Sequence, residues 1–274
     1  MKHRTLNQCR SLDFFDTHPI FRHAEFLKAR AVLCRSVHTS NNLLAQHLDT
    51  GRLLRVRRGL YATVPRGMDP ARVSVDPYLV ASHVADDAVV AYHAALQFFG
   101  KAHSLWRRFH YLTHNRPRPF SVRGLEFLGV QAPAAVRSRP DWGGQIIEVE
   151  HAGGQVRVTT LERTLVDVLA EPSRGGSWEE IWRSLAMIEY CDLEAAITYT
   201  LALGSALSAA RVGFFLEQQR EVWMVEETHL ETLRAHAPAQ PRYFDSTRQP
   251  GRLVPRWNLI VSEYILHRGW EEGA

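Results

Sequence analysis

The 274 residues are 45% hydrophobic and 23% charged, with a formal net charge of +4. That composition excludes a disordered or fibrous chain and allows one large or two ordinary domains. The charge is uneven: residues 1–75 hold 13 Lys and Arg against 5 Asp and Glu, a surplus of +8, whereas the remainder holds 20 against 24. A basic first quarter points to polyanion binding there, although such patches also serve solubility or acidic partners. Cys9, Cys34 and Cys191 are far apart with no CxxC, which fits a reducing compartment. The opening MKHRTLNQCRSLDFFD has no apolar h-region, and the uncharged run Ala195 to Ala210 falls short of the ~20 apolar residues that span a bilayer. A cytoplasmic location with no membrane partner is expected.

Leu12, Phe14 and Phe15 begin a short apolar segment that stops at Thr17-His18-Pro19. From Ile20 to Arg30, the spacing of Phe21, Ala24, Phe26 and Leu27 predicts an amphipathic helix. A third helix follows in TSNNLLAQHLDTG, with Ser36 and Thr39 as alternative N-caps and Gly51 at the C′ position. At 100° per residue, Leu43, Leu44 and Leu48 face the core, and His38, Asn42, Ala45, Gln46 and Asp49 lie opposite. Asn and Gln can grip adenine with two hydrogen bonds, each good pair giving ~1–3 kcal/mol of discrimination. An ordinary solvated helix face would carry the same residues.

GRLLRVRRGLY, residues 51–61, then threads four arginines through a predicted hairpin. Leu54 and Val56 share one strand face, as do Leu60, Ala62 and Val64. The other face presents Arg55, Arg57, Tyr61 and Thr63, with Arg58-Gly59 at the turn. Arginine suits phosphate oxygens, which it engages with two parallel bonds. Edge strands also use positive charge to resist aggregation, but usually with Lys or mixed signs, and this stretch is pure Arg. Three helices and a basic hairpin in this order predict a winged helix-turn-helix over residues 1–68.

Val64–Pro70 is a natural linker, punctuated by Pro and Gly. The second domain, expected over 76–274, opens with a helical region ending at Gly100. Strands are predicted at Phe109–Thr113, Gly124–Val130, Ile146–Glu150 and Val156–Val158. Capping boxes at Thr159-Thr160-Leu161-Glu162 and Ser177-Trp178-Glu179-Glu180 place helices near 160–170 and 178–191. Asp192 can cap another, and Ala209–Gln219 reads as a fourth. Strands followed by helices indicate an α+β fold. Trp178, Ile181, Trp182, Leu185 and Ile188 recur at helical spacing as core or, less commonly, a partner stripe. Arg163 and Asp167, at i,i+4, form a weak surface pair unless buried, where they are structural.

HPIFRHAEF, SNNLLAQHLDTGRLLRVRRGLYATVP and DPYLVASHVADDAVVAYHAALQFFG together resemble the AbiEi antitoxin family, winged-helix regulators of type IV toxin–antitoxin and abortive-infection, phage-defence operons. The likeness continues through TTLERTLVDVLAEPSRGG, ARVGFFLEQ and RWNLIVS, most specifically in RRGLY and TLERTLVDVL…GG. It implies a transcriptional repressor binding inverted repeats in its own promoter, as a monomer or DNA-induced dimer. It also implies a C-terminal domain that supports cooperative binding and counters a nucleotidyltransferase toxin. The DNA-reading positions already derived are Thr39, Ser40, Asn42 and Gln46 on the helix and Arg52, Arg55, Arg57, Arg58 and Tyr61 on the wing.

No enzyme is expected. His110 and His114 share a strand face without further ligands at metal spacing, and no GxxxxGK[ST], GxSxG or HExxH occurs. Glu148 and Glu150 point the same way, but the only lysines are Lys2, Lys28 and Lys101. Gly204-Ser205 is not followed by any Asp-x-Asp, so the chain resembles the antitoxin and not the toxin. No cofactor is implied. Two alternatives stay open: an antitoxin acting by direct protein contact with a vestigial winged helix, and an enzyme whose C-terminal site assembles from scattered residues.

Overall fold

The computed structural model describes residues 14–33, 35–139, 141–142 and 144–271. Leu12, Cys9 and Cys34 lie outside them. The fold is α+β. The chain divides into two compact units, Met1–Val90 with Arg107–Gly129 and Glu148–Val158, and Ala91–Trp106 with Val130–Ile147 and Thr159–Ala274. The sequence expectation set a boundary between residues 68 and 76; both sides of it fall within the first unit.

In the first unit, residues 14–17 are helical. Strand β1 (Ile20–Arg22), helix α1 (His23–Ala31), helix α2 (Val37–Asp49) and a hairpin of β2 (Leu53–Arg57) and β3 (Leu60–Thr63) follow. The predicted helix from Ile20 therefore begins three residues late. Ile20 to Arg22 instead pair antiparallel with Ala62 to Leu60. Phe21 and Phe26 reach one core from either conformation, so their spacing alone does not separate strand from helix. That core gathers Phe15, Phe21, Phe26, Leu44, Leu53 and Tyr61, with Phe14, Leu43 and Leu48 packed against it. Burying each such side chain contributes about 1.5–3 kcal/mol.

A second sheet of the first unit runs in the order β6 (Phe120–Val122), β7 (Leu125–Gln131), β5 (Arg108–Thr113), β4 (Val89–Val90), β9 (Gly154–Thr159) and β8 (Ile146–His151). The two-residue β4 was hidden in the predicted helical region before Gly100. It pairs antiparallel with β5 and parallel with β9, and both its residues are fully buried. Two residues are too few to show a period of two. Helix α3 (Pro77–His83) packs on β1. Its N-cap, Asp76, accepts from the backbone N–H groups of Tyr78 and Leu79 at 3.0 and 2.9 Å.

The second unit is mainly helical. Its centre is α6 (Leu161–Ala170), which touches α4 (His93–Phe98), α8 (Leu193–Leu203) and α9 (Ala206–Gln218); the short α5 (Ala134–Arg137) lies before them in the chain. Arg163 and Asp167 of α6 are buried and 3.5 Å apart. Arg163 also donates to the carbonyls of Trp142 and Gly144, both at 2.9 Å, and the Tyr199 hydroxyl donates to Asp167 at 2.8 Å. The pair is structural. Arg211, also buried, donates to the carbonyls of Leu169 and Ala170, satisfying acceptors that the end of α6 leaves free. Helix α7 ends at Ala186, earlier than predicted (Trp178–Ala186), yet Trp178, Ile181, Trp182, Leu185 and Ile188 are all buried. The predicted fourth helix starts earlier, at Ala206, because Ser205 caps it by accepting from Ser208 N–H. After α10 (Glu227–Arg234), β10 (Arg242–Tyr243), β11 (Arg252–Val254) and β12 (Leu259–Val261) form a small sheet that the sequence reading did not anticipate, with α11 (Glu263–Leu266) beyond it.

Candidate nucleic-acid interface

Helix α2 starts where Ser36 accepts from the Thr39 backbone N–H at 3.1 Å, which decides between the two possible caps. Its inner side is Ser40, Leu44 and His47, all buried, with Leu43 and Leu48 half-buried. His38, Thr39, Asn41, Asn42, Ala45, Gln46 and Asp49 are exposed on the other. The predicted reading face is therefore free, with one correction. Ser40 is 1% exposed, and its hydroxyl donates back to the Ser36 carbonyl at 3.0 Å, so it is a packing residue and not a DNA contact. Asn42 bonds His38 Nε2 at 3.1 Å, one turn back.

The hairpin corrects more. Arg55 pairs with Tyr61 across the strands, so those two share a face as expected. That face turns toward the helices: Tyr61 is buried and stacks on Phe21 at 5.7 Å between ring centroids. Tyr61 belongs to the core with Phe21 and Phe26, and Ile20 and Ala62 on the other face are buried as well. Arg55 is exposed, and the register shifts between Arg55 and Arg57. Such irregularities re-aim side chains. Gly59 holds the turn at φ +80°, a backbone region that costs glycine nothing.

The wing arginines divide by partner. Arg52 donates to the Val64 carbonyl at 2.7 Å and to Asp16 at 2.8 Å, and Asp16 also takes Arg66 at 2.9 Å. Arg57 lies over the Phe120 ring, 4.9 Å from its centroid, and its charge acts on the Tyr111 phenol. Burial pushes the Tyr111 phenol up, opposed by the Arg57 charge. Arg52 and Arg57 therefore hold the unit together, contrary to their predicted role as phosphate contacts. Arg55 and Arg58 are exposed and make no ion pair with any described residue.

One residue that the sequence does not single out completes this surface. His23, the first residue of α1, has its backbone N–H on the Gly59 carbonyl at 2.8 Å and its Nε2 2.7 Å from Asn41 Oδ1 on α2. His23, Arg55, Arg58, Gly59 and Tyr61 line a cleft of about 610 Å³ that contains no acidic side chain. The nearest carboxylate on α1, Glu25, is held by Arg22 at 2.6 Å, and Arg22 also takes Asp86. Burial alone would raise the Glu25 carboxyl, but its bonds to Arg22 hold it below its ordinary value. Placing His23 inside a helix beginning at Ile20 concealed its position at a helix start beside the hairpin turn.

Among the described residues, no group of three or more His, Cys, Asp or Glu is arranged to hold a metal ion, and no helix is long and apolar enough to cross a membrane. No protein-family model matches the chain, and no curated protein matches it. Among solved structures, the fold is similar to the crystal structure of the RV2827C protein from Mycobacterium tuberculosis. The TM-score is 0.59 at 16% identity, over 97% of this chain and 94% of that one. At that identity the likeness concerns the fold.

Proposed function

We propose that this chain is a cytoplasmic DNA-binding transcriptional repressor that doubles as the antitoxin of a type IV toxin–antitoxin, phage-defence operon. In this reading the winged helix-turn-helix expected over residues 1–68 sets α2 in a major groove and the β2–β3 turn on the backbone. The chain binds inverted repeats in its own promoter as a monomer or DNA-induced dimer, counters a nucleotidyltransferase, and catalyses nothing itself. The observation that carries the reading is a polar, exposed α2 face beside two arginines that no described carboxylate neutralises. Arginines left unpaired next to a groove-sized helix suit phosphate, and Asn and Gln side chains suit base edges. The antitoxin role is supported by the sequence resemblance, which runs through both units.

The test is binding of the full chain to duplex DNA from immediately upstream of its own coding sequence, against a shuffled duplex. Preference for the upstream duplex is expected. Gln46→Ala should relax it at one position by about 1–3 kcal/mol. Equal affinity for both duplexes would refute promoter recognition.

A second reading, an antitoxin that acts by direct protein contact, is favoured by one feature of the second unit. Met187, Tyr190, Val222 and Met224 are exposed, on two loops tied by the Trp223 Nε1 bond to the Ile188 carbonyl at 3.1 Å. Its mark would be loss of protection from the toxin in Tyr190→Ser with promoter binding intact.

A further inference from the structure

The cleft beside the hairpin turn has a property that arginines alone do not give it. Its third basic group is an imidazole whose two nitrogens stand in different situations. Asn41 Oδ1 is an acceptor, and it lies 2.7 Å from His23 Nε2. Nε2 therefore carries the hydrogen and donates. In the neutral ring the other nitrogen, Nδ1, is then a bare lone pair. An anion cannot sit against that lone pair until Nδ1 is protonated.

We propose that this cleft seats one phosphodiester of a DNA backbone, with His23 as a protonated third donor beside Arg55 and Arg58, so that DNA binding takes up a proton. The proposal rests on the DNA-binding reading above and assigns a new residue and a new dependence to it. The groups facing His23 set the sign. From the hairpin these are Arg55 and Arg58, which line the same cleft. Arg22, the last residue of β1, and Glu25 of α1 pair with each other, and Asp86 is also taken by Arg22. From α2 they are the neutral Asn41 and, a turn earlier, His38, which is bonded to Asn42. A phosphate seated between the two arginines would favour the imidazolium beside it.

The geometry also makes the seat rigid. The His23 N–H bond to Gly59 fixes the first turn of α1 to the hairpin turn, and the His23–Asn41 bond fixes the same residue to α2. One residue, through its backbone and its ring, thus joins the helix that would read bases to the turn that carries the arginines, and seating the phosphate would fix the helix's depth in the groove.

The experiment measures the affinity of the full chain for a fluorescent upstream duplex at one fixed salt concentration, at about pH 6 and about pH 8. The wild type should bind about fivefold to tenfold more tightly at the lower pH, the change that capture of one proton by an imidazole produces over that range. His23→Gln, which keeps a neutral donor for Asn41, should cut that difference to about twofold or less, and His38→Gln should leave it intact. His23→Lys, permanently charged in this range, should bind about equally well at both values. Burial, then the nearby Arg52, holds the His47 imidazole beneath α2 below its ordinary value, which works against proton uptake there. Retention of the full pH response in His23→Gln, or a wild type whose affinity is independent of pH, would overturn the seat while leaving DNA binding standing. A wild type that binds no duplex at either pH would overturn the DNA-binding reading, and the seat with it.

Discussion

An arginine offers five N–H donors, and its availability to a ligand depends on how many of them the protein already occupies. Four arginines between residues 52 and 58 are chemically alike in the sequence, and the fold makes them different. Arg52 is consumed by Val64 and Asp16, and Arg57 lies over Phe120 with its charge acting on Tyr111. Urea unfolding should therefore separate them: Arg52→Ala costs about 1.5–3 kcal/mol through lost charge-assisted bonds, and Arg57→Ala about 1 kcal/mol through a half-buried cation–π contact. Arg55→Ala and Arg58→Ala should each stay within about 0.5 kcal/mol of wild type. If all four behaved alike, the division would be wrong. The sequence shows the charge but not this division, because Phe120 and Tyr111 lie more than fifty positions downstream of Arg57. Cys191 makes a second case. Burial pushes its thiol up to about 12, so iodoacetamide at neutral pH should leave it unlabelled in the native chain and modify it after denaturation, as peptide mass spectrometry would record.

Among the elements, α2 was the most legible, since its leucine spacing and polar opposite face both survive in the structure. Its start was not, because Ser36 and Thr39 both suit a cap and only the backbone geometry chooses. Ser36→Ala should lower stability by about 1 kcal/mol, and Thr39→Ala by less. The strand at Ile20–Arg22 was missed for a different reason: its partner, β3, lies some forty residues away, and local periodicity carries no information about it. Beneath α2, His47 packs edge-on against Phe15 at 4.9 Å with its Nε2 buried and unbonded. Burial, then the nearby Arg52, holds its imidazole below its ordinary value. A histidine depressed in the folded state is protonated preferentially in the unfolded chain. Its full contribution is present above the ordinary histidine range and is lost as pH falls through that range toward the folded-state value. Thermal melts should therefore show wild type losing stability between about pH 7 and about pH 5, and His47→Leu losing less. An identical decline in both would remove His47 from the explanation.

For the whole molecule, the α+β class followed from strands preceding helices, and three helices of the second unit, α6, α7 and α8, were placed by candidate capping residues. The small β10–β12–β11 sheet was not, since its strands have two or three residues each. Close packing in that unit is also invisible to pattern: a Cβ at Gly213 would lie 2.2 Å from the ring of Trp257, which is fully buried. Gly213→Ala should cost at least about 1–3 kcal/mol by overpacking, with part regained on adding Trp257→Leu, as denaturant midpoints would show. In the proposed reading, function lies at the surface of the first unit, where the side chains that would read bases and those that would hold the backbone stand on different elements. The measurement that tests this most directly is the salt dependence of full-length protein binding to its upstream duplex, in wild type and in Arg55→Ala/Arg58→Ala. Each phosphate contact contributes about 0.9 to the log–log slope, so the double variant should lose about two units of slope at unchanged fold stability. A double variant with the wild-type slope would contradict the account.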